Sequence, residues 1–573
     1  MKTIAEVLTE KLSQAFHTCG YSPEFGAVTP SDRPDLCQFQ CNGAFSAAKA
    51  YKKAPAVIAG DVVSKLKEDG IFQKISVMGS GFINMDIADS FLLNYIRKIL
   101  SDKYLGIKQS EKKETIFLDF GGPNAAKPLH IGHLRSAVIG EALKRLAVAT
   151  GRKTISDVHL GDWGLQMGLV IAELEERNKC GTDLSLSGEE WDEIYPLASQ
   201  KSKVNEDFKR RAQEITAKFQ KGDSKYISIW KKIMDVSVSE IKKNYRLLGV
   251  SFDLWHGESD AEPYVDPLIG ILESKNLLVD SFGAKVVEVS EPDDNFPIPP
   301  VIIKKSNHAS GYATTDLATI IERETLFHPD ELWYIVDNRQ ALHFTQVFRC
   351  ARKAALVPDE TVIHHLSFGT MNGSDGKPYK TRDGDVMKLT DFYNTVYSSI
   401  YERVQASTFI DRSNTQETAH KITVAAIKFG DLINHRSKNY IFDIEKFTAS
   451  EGKTGIFLLY TIARIHSILK KAERETEDVK PTCIYSDTER ELLLTLALSN
   501  EAFEAAYCEK APNLICENAY KIASAFSKFY SSNHIAGEED DSKKSAWLAL
   551  CSAVKTILQK HLDILGIEPV ETM

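Results

Sequence analysis

The chain has 573 residues, 43% of them hydrophobic, enough for about three or four domains with real cores. Its nine cysteines are odd in number and scattered, which argues against a disulfide framework or a paired-knuckle zinc site and for reduced thiols in the cytoplasm. The net charge of −9 argues against indiscriminate coating of nucleic acid, while local basic runs such as Lys201, Lys203, Lys209, Arg210 and Arg211 leave room for a specific one.

The segment after Met1 mixes acids into a helical pattern and has no apolar signal core. No uninterrupted apolar run approaches the ~20 residues a bilayer requires, so no membrane association is expected. Residues 1–110 mix helical and strand patterns, and the alternation through Phe82–Ile87 predicts an edge strand ahead of a helix. The charged run Lys108–Glu114 reads as a linker. Thr115–Phe120 is a short β-rich run followed by Gly121-Gly122-Pro123 and a helical stripe through Leu134, Val138, Ala142 and Leu146. Strand, turn and helix in that order open a doubly wound α/β domain. From Gly168 to about Arg246 a charged composition at helical spacing predicts a helical insertion. Strand-like runs at Lys285–Val289, Pro300–Lys304, Leu332–Val336 and Thr361–Leu366 restore an α/β pattern that closes near residue 390. The last part of the chain is helical in period. The expected fold class is therefore α/β, with an α+β domain at 1–110, a Rossmann-like domain with a helical insertion at 111–450 and an all-α domain at 451–573.

The densest chemistry lies in Gly122-Pro123-Asn124-Ala125-Ala126-Lys127-Pro128-Leu129-His130-Ile131-Gly132-His133. A His-x-Gly-His match is expected by chance about 0.02 times in a chain of this composition. Two histidines three apart at the first turn after a strand share a helix face, at an end whose amides attract anions, and Gly132 leaves room for a flat base to approach the backbone. That arrangement suits attack of a carboxylate on the α-phosphorus of ATP, where catalysis is mainly positioning and charge stabilisation. A zinc site built on His130 and His133 would lack a third ligand nearby. Glu451-Gly452-Lys453-Thr454 ends like a phosphate-binding loop, but Phe447 stands where the first glycine belongs, so it reads as a turn into the last helices.

These residues resemble the HIGH signature of the class I aminoacyl-tRNA synthetases. The continuation Leu134-Arg135-Ser136, with Gly161-Asp162-Trp163-Gly164-Leu165-Gln166, resembles the arginine-specific branch. The likeness extends through Asp375–Arg382, Phe442-Asp443 and Gly452–Gly455 to Leu565-Gly566-Ile567-Glu568, nearly the whole chain. It implies an enzyme that activates L-arginine with ATP and Mg²⁺ and transfers it to the 3′ end of tRNA(Arg), acting as a monomer. Where the family's mobile Lys-Met-Ser-Lys loop belongs, this chain has Tyr379-Lys380-Thr381-Arg382. The resemblance then assigns part of the missing positive charge to Lys127, with Lys377 and Lys380 on the loop.

A guanidinium must be met by a carboxylate and planar acceptors. Tyr312 and Asp316 lie four apart on one helix face and resemble the family's guanidinium-recognising pair, and Gln340 resembles its third partner. Asn124 and Asp119 resemble the residues that hold the α-amino group. A pocket built around buried polar groups rejects analogues lacking them, so no β-rich editing module is required and none is predicted. By resemblance, the first domain meets the tRNA elbow and the last binds the anticodon. From residue 451 onward there are 14 basic and 19 acidic side chains, so anticodon contacts must come from a local surface such as Tyr460, Arg464, Lys521, Lys528 and Tyr530. The competing readings are a small nucleotidyltransferase, against which the length argues, and a catalytically inactive synthetase-like tRNA-binding protein, against which the intact Lys127, His130, His133, Tyr312 and Asp316 argue.

Overall fold

The computed structural model describes residues 1–177, 188–306, 311–377, 379, 387–406, 414–472 and 480–573. They separate into two compact units, one of residues 1–109 with 404–422 and 449–573, the other of residues 110–403 with 423–448.

In the first unit, a four-stranded antiparallel sheet has the spatial order Thr29–Pro30, Phe39–Cys41, Phe82–Ile87, Phe72–Met78. Phe82–Ile87 is thus an inner strand, where its alternation predicted an edge. It is paired on both sides, and Ile83, Met85 and Ile87 are fully buried, a neighbourhood the local pattern does not encode. The helix after it, Asp89–Ser101, is as expected. The rest of this unit is helical, with Gly455–Lys471, Asp487–Ala497, Ser499–Glu509, Asn513–Ser532 and Asp541–Ile564. The Gly452 turn, at φ +85°, leads into the first of these, where the Thr454 hydroxyl accepts from the Phe457 N–H at 3.1 Å. The turn is a helix entrance and not a phosphate loop.

The second unit is built on four parallel strands: β1 (Thr115–Phe120), β2 (Lys153–Asp157), β3 (Glu331–Ile335) and β4 (Val362–His365), in the spatial order β4-β3-β1-β2. Helix α1 (Ile131–Ala149) connects β1 to β2, α2 (Tyr312–Phe327) precedes β3, and α3 (Ala341–Lys353) follows it. The chain leaves β1 toward β2 and returns on the other side of β1 with β3, so the strand order reverses between β1 and β3. Ligands of such sheets bind at the carboxyl ends of the two strands that flank this point. Leu317, Ile320, Leu332 and Val347 form one face of the core with Phe117. α1 is buried almost all round, as befits a helix enclosed by sheet and neighbours.

The charged stretch folds as predicted into helices Leu165–Glu176, Gly188–Val204, Glu206–Gln220 and Ser224–Leu247. Two of the four predicted strand runs do not join the parallel sheet. Ala284–Val287 lies between Val279–Ser281 and Val301–Lys304 in a separate antiparallel sheet, because the tight Phe282-Gly283 turn returns the chain at once.

Candidate active site

At the end of β1 the chain turns at Gly121, whose φ of +83° suits glycine, and three contacts fix the turn. The Gly121 N–H donates to Ser136 Oγ at 2.8 Å, Ser136 Oγ donates to the Ile335 carbonyl at 2.7 Å, and Tyr245 Oη donates to the Gly121 carbonyl at 2.5 Å. Ser136 on α1 thereby bridges the tips of β1 and β3 where they diverge. The next stretch is held by the helical insertion: Ala125 and Ala126 pack among Met167, Ile171, Phe208 and Ile233, and the Ala126 N–H donates to Ser237 Oγ at 3.0 Å. Ala126 is at φ +61°, a strained conformation that this support sustains. Asn124 lies against Gly161, at which a Cβ would come within 2.4 Å of Asn124 Oδ1.

His130 is the N-cap of α1. Its Nδ1 accepts from the Gly132 N–H at 3.0 Å, and His133 Nδ1 accepts from the His130 N–H at 3.1 Å, with the rings 4.0 Å apart. Because each Nδ1 accepts, each neutral ring carries its proton on Nε2, where it is a donor. Burial, with the neighbouring His130 and Lys127 charges, pushes His133 down to about 3, and burial with Lys127 and Arg339 also lowers His130. Both rings are therefore neutral donors at physiological pH. A Cβ on Gly132 would meet His130 Cε1 at 2.7 Å, so this glycine is required by the His130 ring itself, a reason the motif alone does not reveal.

Arg135, one turn further, is buried. Its Nε donates to Asp431 Oδ1 at 2.9 Å and its Nη1 to the carbonyls of Gly369 and Lys438 at 2.7 and 2.9 Å. It ties α1 to the segment that leads into the second signature. That segment is anchored on both sides of residues 380–386: the Tyr379 N–H donates to the Met371 carbonyl at 3.1 Å, and the Ile131 N–H donates to the Met387 carbonyl at 3.1 Å beside a His130–Lys388 bridge. Met387 and Lys388 therefore lie directly against the histidine turn. Lys380 lies outside the described residues. Lys377 is exposed, its N–H bound to Asp375 Oδ1 at 3.0 Å. Lys127 Nζ sits 4.2 Å from the centre of the Tyr195 ring in the insertion.

The predicted guanidinium pair sits on the first turns of α2. Tyr312 is 75% exposed, and Asp316 Oδ2 is 2.6 Å from His343 Nε2 on α3. Gln340 is exposed at the N-cap of α3, three residues before His343. Glu258 is a half-buried residue that sequence reasoning missed. Burial raises its carboxyl above the ordinary range, opposed by His159 and reinforced by the charges of Asp162 and Asp316. Asp162 is pushed up to about 6 by burial, although Ser259 Oγ and N–H donate to it at 2.6 and 3.0 Å. Glu258 follows no periodicity or motif that marks it.

Asp119, near the end of β1, is registered between Tyr334 of β3 and Asp157 of β2. Its Oδ2 is held at 2.7 Å by Nη2 of Arg323, which also lies 3.3 Å from Asp157 Oδ2. Neither Arg323 nor Asp157 stands out in the sequence. Among the described residues, then, the fold brings Asp119, Asn124, His130 and His133 to the end of β1, and Asp316 to a histidine on α3.

Three family descriptions match in order: "Arginyl tRNA synthetase N terminal domain" over residues 2–87, "tRNA synthetases class I (R), catalytic domain" over 95–444, and "DALR anticodon binding domain" over 458–573. The chain is 45% identical to the arginine–tRNA ligase of Alkaliphilus oremlandii and 44% identical to that of Agathobacter rectalis, with all of each chain covered. Its fold is similar to the crystal structure of arginyl-tRNA synthetase from Plasmodium falciparum, with a TM-score of 0.85 at 23% identity over the whole of both chains.

Proposed function

The chain belongs to the class I arginyl-tRNA synthetases and ligates arginine to tRNA using ATP, and from that premise we propose which of its residues carry each step. Asp316, with Tyr312, Gln340 and Glu258, receives the guanidinium, and Asp119 with Asn124 receives the α-amino group. The observation that carries this assignment is the Asp316 carboxylate on the first turns of α2, held at 2.6 Å by His343 Nε2 and so presented as a fixed acceptor for a planar cation.

The substrate carboxylate attacks the α-phosphorus, the new C(O)–O–P link forms, and the α–β bridging bond breaks with loss of pyrophosphate. No general base is needed. His130 and His133 donate from Nε2 to phosphate oxygens whose charge grows in the transition state, and α1 adds its N-terminal dipole. Lys127 leaves the Tyr195 ring to reach the triphosphate, joined by Lys377 and Lys380 from the loop. Mg²⁺ bound with the nucleotide would neutralise part of the phosphate charge. The terminal ribose hydroxyl of tRNA then attacks the acyl carbon, and AMP leaves.

We assign residues 1–110 to the tRNA elbow, 111–450 to catalysis and 451–573 to the anticodon. In the last region Arg464 lies between Tyr460 and Tyr530, 4.4 and 4.9 Å from their ring centres, beside a cavity of about 660 Å³ lined also by Lys471, His534 and Lys544. Exposed tyrosines flanking a cation suit unpaired bases. Lys528 is instead paired with Glu491 at 2.8 Å, and Lys521 lines a different cavity with Leu498 and Glu501. A monomer in the cytoplasm is the setting we propose, in keeping with the eight described cysteines, all free. No helix among the described residues is long and apolar enough to cross a membrane. Charging of total tRNA with each amino acid in turn tests the reading: arginine alone is expected to be attached, and efficient charging with glutamine would overturn it.

A further inference from the structure

A cationic substrate is bound beside a buried cation of the protein's own. Arg323 is 1% exposed, its guanidinium carbon lies 4.6 Å from the centre of the Phe117 ring and 5.2 Å from that of Tyr334, and only Nη2 finds partners, Asp119 Oδ2 at 2.7 Å and Asp157 Oδ2 at 3.3 Å. Nε and Nη1 have no hydrogen-bond partner. An arginine so placed is a poor device for stability alone, since its desolvation is incompletely repaid by hydrogen bonds. Half-satisfied buried charges persist where function needs them. Asp157 is anchored in turn by the His256 N–H at 3.1 Å, so the row Asp157–Arg323–Asp119 is braced from its far end. The near end keeps access: the Asp119 side chain is 12% exposed, against 1% for Arg323 and 2% for Asp157.

Position along α2 adds a second observation. Arg323 follows Asp316 by seven residues, two turns, so both lie on one helix face about 10 Å apart along the axis. One end of that face meets the guanidinium site. The other meets the carboxylate at the end of β1.

We infer that Arg323 is a positioning residue for the α-ammonium of arginine: it fixes the Asp119 carboxylate in the orientation that receives this group, so that a single helix, α2, sets both ends of the substrate. The inference rests on the assignment of Asp119 to the α-amino group. Two carboxylates and one guanidinium leave a formal charge of −1 at this end, which one ammonium neutralises. Without Arg323, Asp119 and Asp157 would face each other uncompensated, one would take up a proton, and the ammonium would lose its fixed partner.

The test compares binding of arginine and of 5-guanidinopentanoic acid, which lacks only the α-amino group, to the full-length protein by calorimetry. Arg323→Lys and Arg323→Gln are expected to weaken arginine ~10-fold or more, the scale of a lost hydrogen bond to a charged group, and to change the deamino acid less than about twofold. In aminoacylation the same variants raise the KM for arginine more than they lower kcat. Asp119→Asn alone is expected to abolish the preference for arginine over the deamino acid, with no further loss when Arg323→Lys is added. Asp157→Asn, which keeps Arg323 and removes its far anchor, gives the same signature in smaller measure and serves where the Arg323 variants do not fold. Retention of the preference in Asp119→Asn would overturn the α-amino assignment itself. Loss of preference in Asp119→Asn, with the Arg323 and Asp157 variants weakening both ligands equally or neither, would overturn the role given to Arg323 alone.

Discussion

His343 Nε2 stands 2.6 Å from Asp316 Oδ2, so the carboxylate that α2 offers the guanidinium is held from α3 before any substrate arrives. A carboxylate fixed in this way loses little rotamer entropy when it takes up a planar bidentate partner.

This pairing predicts a coupled pair of variants. Asp316→Asn is expected to weaken arginine binding by at least ~1.5 to 3 kcal/mol. His343→Ala, which frees the carboxylate without removing it, costs less, about 1 kcal/mol. The double variant should bind no worse than Asp316→Asn alone. Additive losses by calorimetry would show that the two side chains act separately.

For the phosphate site, His130→Ala and His133→Ala are expected to slow adenylate formation by about two orders of magnitude, ~3 kcal/mol each, with arginine affinity little changed. Lys380→Ala should act in the same direction. Rapid-quench measurement in the presence of tRNA checks this, and variants that activate arginine at the normal rate would make the histidine turn a structural cap only.

Buried neutral histidines predict the acid side of the stability profile. His561 lies between the Ile557 carbonyl and Asn518 Oδ1, at 2.8 and 2.7 Å, and burial pushes it down to about 4 from an ordinary 6.5. Between those values the unfolded chain binds a proton that the folded chain does not. Stability is therefore complete above about pH 6.5 and falls as pH drops, by at most about 1.4 kcal/mol per pH unit for this group. Denaturant unfolding of His561→Gln from pH 5 to 7 should be flatter than that of the unaltered chain, and equal slopes would remove His561 from the account.

The tyrosine–arginine stack predicts a tRNA effect without a chemical one. Tyr460→Ala, Arg464→Ala and Tyr530→Ala should each raise the KM for tRNA by the ~1 to 3 kcal/mol typical of a lost base stack and leave kcat nearly unchanged. The Lys528→Ala change, at an exposed pair with Glu491, should be close to silent. A silent stack with a sensitive Lys528 would move the anticodon surface elsewhere.

The loop departing from the usual second signature predicts dependence on tRNA. The residues on either side of it are pinned, Tyr379 by Met371 and Met387 by Ile131, and in the assignment above its lysines act on the triphosphate. Arginine-dependent exchange of pyrophosphate into ATP is expected to be nearly absent in the free enzyme and to appear with cognate tRNA, even tRNA whose terminal ribose cannot accept an amino acid. Robust exchange with arginine and ATP alone would show a site assembled in advance.

Much of the site was legible because its signals are local. The HIGH-like turn joins a strand to a helix within one short segment, so residue order alone places His130 and His133 on one face, and the 3.6-residue period does the same for Tyr312 and Asp316. The insertion was legible for the same reason. Phe82–Ile87 was read as an edge strand because alternation reports which faces are buried and says nothing of how many neighbours a strand has.

What the sequence determined by itself is the order of elements, the two signature segments and the helix face that carries Tyr312 and Asp316, since each depends on spacing along a few turns. Only the tertiary structure decided that Gly132 is demanded by the His130 ring, that His343 holds Asp316, and that Arg323 reaches Asp119 across 204 residues. The first is a matter of how the His130 ring is turned at its cap, while the other two join separate strands and helices, and a pairing between distant segments is set by how the layers pack, which no local period records.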